Sequence, residues 1–118
     1  MTTERDGCIF CRIADGKMKS DLLHQDDEVI AFRDINPLAP VHILIVPKKH
    51  IPSLVELAEA EAPLIGKMVN VANRLAKRAG IAESGYRLVI NCGEEGGQGV
   101  SHLHMHLLGG RQLGGKLG

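Results

Sequence analysis

His102-Leu103-His104-Met105-His106-Leu107-Leu108 places an imidazole at every second position, with aliphatic side chains between them. Successive side chains of an extended chain leave on opposite faces. A strand here therefore carries His102, His104 and His106 in one row and Leu103, Met105 and Leu107 on the reverse. One face is free for chemistry and the other belongs to a core. Three rings with unperturbed pKa values of about 6.5 side by side are a costly structural choice, and such groups gather where a nucleophile, an acid or a metal ligand is needed.

Working outward, the residues just upstream, Gly93-Glu94-Glu95-Gly96-Gly97-Gln98-Gly99, form a glycine-rich loop, preceded by a strand over Tyr86 to Asn91. Before that strand, Leu64, Ile65, Met68, Val69, Ala72, Leu75, Ala76 and Ala79 recur at three- and four-residue spacing. Pro63 suits the first turn of this helix and Gly80 its C-terminal cap. Ser53 and Glu56 fit a capping box, which predicts a short helix running to about Leu57 or beyond.

The N-terminal half reads as strands. Leu22 to Gln25 and Val29 to Arg33 form a hairpin about Asp26-Asp27-Glu28, and Asn36-Pro37-Leu38-Ala39-Pro40 forces extended or turning backbone. Val41 to Val46 is apolar and β-branched enough to be central in a sheet, and Pro47 ends it. Cys8 to Ile13 reads as a short turn or helical turn stopped at Asp15-Gly16. The order β-β-β, helix, β-β predicts an α+β fold with a five-stranded antiparallel sheet, one long helix and one short one. The expectation is a single domain over 1–118, with a mobile start at 1–7 and a flexible glycine-rich tail at 110–118.

With 118 residues, 44% of them apolar, and fourteen basic against fourteen acidic groups, the chain is a globular one with no net pull on a nucleic-acid polymer. No stretch approaches the roughly 20 apolar residues that span a bilayer, and Met1-Thr-Thr-Glu-Arg-Asp6 lacks a signal-peptide layout, so no membrane partner and a cytoplasmic location are expected. Three cysteines, with two residues between Cys8 and Cys11, fit a metal site better than a disulfide framework.

Neutral imidazole is a competent nucleophile near pH 7, and His104 is the middle ring of the row. The backbone N–H groups of Gly97, Gln98, Gly99 and Val100 can approach an anion closely, which suits a phosphate. Nucleophile and phosphate cradle are thus adjacent in sequence.

These residues resemble the histidine-triad family, and the likeness covers most of the chain. Cys8-Ile9-Phe10-Cys11, Ala31-Phe32-Arg33-Asp34-Ile35, Pro40-Val41-His42-Ile43-Leu44, Pro47-Lys48-Lys49-His50, Gly96-Gly97-Gln98 and Leu108-Gly109-Gly110-Arg111-Gln112 are similar to landmarks of its Hint branch, the purine nucleoside phosphoramidate hydrolases. The resemblance implies that His104 attacks the α-phosphorus of a purine nucleotide, leaving a nucleotidyl-histidine that water hydrolyses. His106, His42 and His102 fit the accompanying proton-handling positions. It further implies that Asn91 and the amides of Gly97, Gly99 and Val100 hold phosphate oxygens, that Asp34 takes the ribose hydroxyls, and that Phe10, Ile13, Phe32, Ile35 and Leu44 wall the base. Gly99 stands where that branch usually carries Ser, and the tail lacks an aromatic residue some relatives place there. A homodimer is implied, with Tyr86 to Asn91 and the long helix as the candidate interface.

Cys8 and Cys11 can both reach one tetrahedral Zn²⁺, which needs two more ligands, and His50 and His102 can supply them, as in some members of the wider family. Such a structural zinc is not required for the chemistry. Rival readings are a hydrolase that uses His102, His104 and His106 themselves as catalytic zinc ligands, a non-catalytic nucleotide-binding regulatory or scaffold module, and a dinucleoside polyphosphate hydrolase or nucleotidyl transferase of the same family. Cys92 is read as a small apolar filler and His24 as a surface residue.

Overall fold

A computed structural model of the protein describes residues 7–117. The expected mobile start at 1–7 therefore lies, Gly7 apart, outside the described residues. The elements are α1 (Ile9–Ala14), β1 (Leu22–Gln25), β2 (Val29–Arg33), β3 (Val41–Pro47), α2 (Ala62–Arg78), β4 (Tyr86–Val89) and β5 (Met105–Gly109). The five strands form one antiparallel sheet in the order β1-β2-β3-β5-β4. No helix among the described residues is long and apolar enough to cross a membrane.

Residue parity divides the two faces of the sheet. Val29, Ala31, Ile43, Ile45, Met105 and Leu107 pack on one side with Met68, Val71, Ala72, Leu75 and Ala76 of α2, while Ile30, Phe32, Leu44 and Val46 pack on the other with Phe10, Cys11 and Ile13 of α1 and its N-cap Cys8. Strands β2 and β3 are covered on both faces, which is why they read as continuous apolar runs. His42 shares parity with Leu44 and Val46, so it belongs to the α1 side.

Two expectations are corrected. The short helix after Ser53 is instead a pair of 3-10 turns, Leu54–Glu56 and Glu59–Glu61, and Ser53 makes no side-chain cap. The carboxylate that caps here is Glu61, which accepts the Ala58 amide at 3.1 Å. The histidine strand also starts late: His102 and His104 precede β5, and only His106 lies within it. Continued register would set Leu103 against Pro47, which has no N–H to give. The Pro47 carbonyl accepts from His102 Nε2 at 2.7 Å, and the Leu103 amide turns to Ile51 O at 2.7 Å. The alternation of faces survives even so, with Leu103, Met105 and Leu107 all buried.

Beyond β5 the described residues, as far as Leu117, have no regular structure, and they lie back on the domain. Arg111 donates to Leu38 O at 3.0 Å, and Arg87 of β4 donates to Gly114 O at 2.6 Å.

Candidate active site

His104 is buried, and its Nδ1 lies 2.7 Å from the carbonyl of His102. A carbonyl can only accept, so Nδ1 carries the hydrogen and Nε2 keeps its lone pair. On the neighbouring ring the order runs the other way. The Leu38 amide donates to His42 Nδ1 at 3.1 Å, so neutral His42 is protonated at Nε2, which lies 2.9 Å from His106 Nδ1. His106 Nδ1 then accepts and its Nε2 is the donor. One backbone carbonyl and one backbone amide thus fix a lone pair at Nε2 of His104 and an N–H at Nε2 of His106, whose ring centroids are 5.0 Å apart.

Burial holds all three rings neutral. It lowers His42 and His104 from their ordinary value of 6.5; His106 falls to about 4, first through burial and then through its neighbours His104 and His42. Asp34 pulls in the opposite direction on each of them. Its Oδ2 lies 3.5 Å from His42 Nε2, and its Oδ1 accepts the Asn36 amide at 2.8 Å. The turn-forming and charge-balancing roles of Asp34 therefore coexist.

The glycine-rich loop is braced from within. Gln98 is buried; its Oε1 accepts the Gly93 amide at 2.9 Å and its Nε2 donates to Pro52 O at 2.7 Å and Val100 O at 2.8 Å. All of its side-chain polar atoms face the protein, so it shapes the loop and is not placed to touch a ligand. The Gly97 amide is likewise spent, on Glu94 O at 3.0 Å. Asn91 Nδ2 donates to Gly96 O at 2.8 Å and retains a second hydrogen. The amides of Gly99 and Val100 have no acceptor among the described residues, and a Cβ at Gly99 would meet open space.

Cys8, Cys11, His50 and His102 form a separate centre. Their donor atoms all lie within 4.8 Å of one another. His102 Nδ1 is 3.2 Å from Cys8 Sγ, 3.4 Å from Cys11 Sγ and 3.2 Å from His50 Nδ1, and Cys11 Sγ is 3.2 Å from His50 Nδ1. Tetrahedral zinc with metal–nitrogen bonds of about 2.0–2.1 Å and metal–sulfur bonds of about 2.3 Å has donor–donor edges of about 3.3–3.8 Å, close to these values. The Pro47 carbonyl fixes hydrogen on His102 Nε2 and leaves Nδ1 bare toward the cluster, the arrangement that orients a metal-bound imidazole.

Asp34, His42 and His106 also bring donors within 4.8 Å. Their geometry is different. The centroids of His42 and His106 are 5.2 Å apart with nitrogens at 2.9 Å, whereas those of His50 and His102 are closer, 5.0 Å, although their nitrogens are farther apart, 3.2 Å. The first pair meets head-on, as a hydrogen bond requires. The second is bent, so these two nitrogens do not face each other along one hydrogen bond. His102, expected in the catalytic row, thus points its ring into the cysteine cluster and offers the row only its carbonyl. This also removes the geometric basis for a zinc held by His102, His104 and His106 together.

A family model for the HIT domain matches residues 15–113. The chain belongs to the HIT domain family. It is 50% identical over 106 residues to the purine nucleoside phosphoramidase of Escherichia coli strain K12, covering 90% of this chain and 89% of that one. Among solved structures, a histidine triad protein from Clostridium difficile superposes with a TM-score of 0.93 at 46% identity, over 97% of this chain and 99% of that one. A HIT family hydrolase from Legionella pneumophila Philadelphia 1 gives 0.90 at 44% identity, over 92% and 97%.

Of the expected base walls of this HIT domain, Phe10 and Ile13 of α1 are buried against Phe32 and Leu44 of the sheet, whereas Ile35 is 88% exposed beside Asp34. Phe10 also packs edge-on against His104, centroids 5.0 Å apart at 78°. Sequence reasoning did not find that contact, because no spacing rule links a residue of α1 to one at the far end of the chain. The bond from His24 Nε2 to Asp26 at 2.6 Å was missed as well, although Asp26 closes the β1–β2 turn by accepting the Glu28 and Val29 amides. His24 is half-buried and belongs to that turn. Cys92 is half-buried at the base of the glycine-rich loop.

Proposed function

We propose that this HIT domain is a hydrolase of purine nucleoside phosphoramidates that works through a nucleotidyl group on His104. The observation that carries the reading is the opposed fixing of two adjacent rings: Nδ1–H of His104 is held by His102 O, leaving Nε2 as nucleophile, while the Leu38 amide sets the His42–His106 pair to present a donor at His106 Nε2. The 50% identical relative named purine nucleoside phosphoramidase supports the substrate class.

Anionic substrate draws one proton into the site, shared by the His42–His106 pair and stabilised by Asp34. His104 Nε2 forms a bond to phosphorus as the bond to the leaving amine breaks, and His106 Nε2–H passes its proton to the departing nitrogen. Water then attacks the same phosphorus, returns a proton to His106 and frees nucleoside monophosphate and His104. The amides of Gly99 and Val100 and the second hydrogen of Asn91 are the groups we assign to the phosphate oxygens. Asp34 takes the ribose, with the apolar side chains of Phe32 and Leu44 beside the base. His104→Ala tests the assignment: turnover of adenosine 5′-phosphoramidate falls at least about a thousandfold if His104 is the nucleophile. A binding module would show no turnover in either protein.

The four-donor cluster fits a structural Zn²⁺, since two thiolates and two imidazoles complete the shell and leave no position for substrate. When bound, the ion supplies cross-linking of α1 to the segments after β3 and before β5. Metal analysis of the purified chain is expected to give one zinc per chain, lost in Cys8→Ser/Cys11→Ser. Strand β4 pairs on one side only, with β5, which supports pairing of two copies across that edge. Sedimentation equilibrium tests the dimer.

A further inference from the structure

We propose that the Cys8/Cys11/His50/His102 cluster governs the orientation and tautomer of His104 through two contacts on the His104 ring, the carbonyl of His102 and the ring of Phe10. Both contacts belong to the cluster's own framework. His102 has its ring fixed by the cluster at Nδ1 and by Pro47 O at Nε2, and its carbonyl holds the His104 Nδ1–H at 2.7 Å. Phe10 sits between the two cysteines on α1, a helix of six residues whose N-cap is the Cys8 sulfur, accepting the Cys11 amide at 3.3 Å. A helix this short has no stability of its own, so what holds the sulfurs holds Phe10.

From that position the Phe10 ring touches His104 edge-on at 5.0 Å and His102 at 6.0 Å, with Phe32 supporting it at 5.7 Å. His104 is thus steadied twice, along its Nδ1–H bond and by the edge-on ring contact with Phe10. Both restraints trace back to residues that bind the ion or flank those that do. Phe10 and His102 are positioning residues in this scheme. Misplacement of a reacting group by an ångström is enough to cost a large rate factor without weakening substrate binding. A metal that only pinned the N-terminal segment would leave His104 unchanged on removal, and a Phe10 that only walled the base would affect KM alone.

The kinetic part of the test rests on the proposed reaction; the spectroscopic part does not. The full chain, loaded with zinc and labelled with ¹⁵N-histidine, is compared as wild type, Phe10→Ala, Phe10→Leu and after chelation, reading the His104 ring nitrogens by NMR together with kcat and KM for adenosine 5′-phosphoramidate. Wild type is expected to show a single Nδ1–H tautomer at His104. Phe10→Ala should keep its zinc while the His104 signals average between tautomers, with kcat down about tenfold and KM within about twofold. Phe10→Leu, which retains most of the contact, should recover kcat to within about threefold. Zinc removal should reproduce the averaging. A folded, zinc-loaded Phe10→Ala with one sharp tautomer and kcat within about twofold of wild type overturns the coupling, as does an effect confined to KM. If chelation unfolds the chain, the Phe10→Ala comparison decides alone. If loaded wild type does not hydrolyse the phosphoramidate, the proposed reaction fails while the tautomer comparison still decides the coupling.

Discussion

Acid should weaken this fold through the histidine row, and His106 sets the size of the effect. Burial, followed by the neighbouring His104 and His42, holds its native pKa to about 4, against 6.5 without those surroundings. Between these values the unfolded chain binds a proton that the native state refuses. Stability is therefore complete above pH 6.5 and is lost as the pH falls toward 4, at about 1.36 kcal/mol per pH unit. From pH 7 to pH 5 that amounts to about 2 kcal/mol for a fully shielded ring. Because His106 is only partly shielded from water, about 1–2 kcal/mol is the working figure. Urea unfolding of wild type and His106→Gln at pH 7 and pH 5, both zinc-loaded so that metal linkage is common to the pair, isolates this contribution. Wild type should lose about 1–2 kcal/mol more than the variant on acidification, since glutamine cannot titrate and its presence also relieves His104 and His42. Equal losses within about 0.3 kcal/mol, near the precision of extrapolation, would refute the claim that the fold keeps this ring neutral.

Three further outcomes follow from the loop and from Asp34. A Cβ at Gly96 would lie 2.3 Å from Cys92 O, so Gly96→Ala must displace the loop; circular dichroism should show the fold retained while kcat/KM drops more than about tenfold. Gln98→Ala removes three hydrogen bonds, taking the side-chain donor from the half-buried Pro52 carbonyl and the acceptor from the Gly93 amide while Val100 O keeps the His102 amide, and chemical denaturation should register a loss of about 2–3 kcal/mol. Asp34→Asn keeps a side-chain acceptor for the Asn36 amide but deletes the one charge that opposes burial on all three rings. Its steady-state kinetics should show kcat/KM reduced about tenfold or more with the melting temperature nearly unchanged.

The fold was legible where hydrophobic period and chain punctuation agree. Val29 to Arg33 and Val41 to Val46 carry apolar runs bounded by acidic or proline turns, and the helix that begins near Pro63 ends at Arg78, capped by Ala79, with Gly80 at a φ of +77° turning the chain away just beyond. The Ser53/Glu56 pattern misled: Ser53 makes no side-chain cap, and the carboxylate that does cap, Glu61, serves the following turn at Ala58. Within the site, the alternating histidines announced a shared face, but two-residue periodicity says nothing about where a ladder stops. Pro47, lacking an N–H and lending its carbonyl to His102, ends the ladder early and turns that ring toward the cysteines. Spacing likewise announced the pairing of Cys8 with Cys11, while the division of labour between His102 and His104 depends on which backbone groups face each ring. For His102 that group is the Pro47 carbonyl, 55 residues away, and for His104 it is the carbonyl two residues before it, freed for the ring only because the ladder has ended.

The most direct test is mass spectrometry of the enzyme quenched in acid-free denaturant during turnover of adenosine 5′-phosphoramidate, followed by peptide mapping. One adenylyl group on the peptide containing His104, absent from His104→Ala and discharged as adenosine monophosphate when native enzyme is left to react with water, is the predicted result. Undiminished hydrolysis by His104→Ala, or an adduct mapped to any other residue, would contradict it.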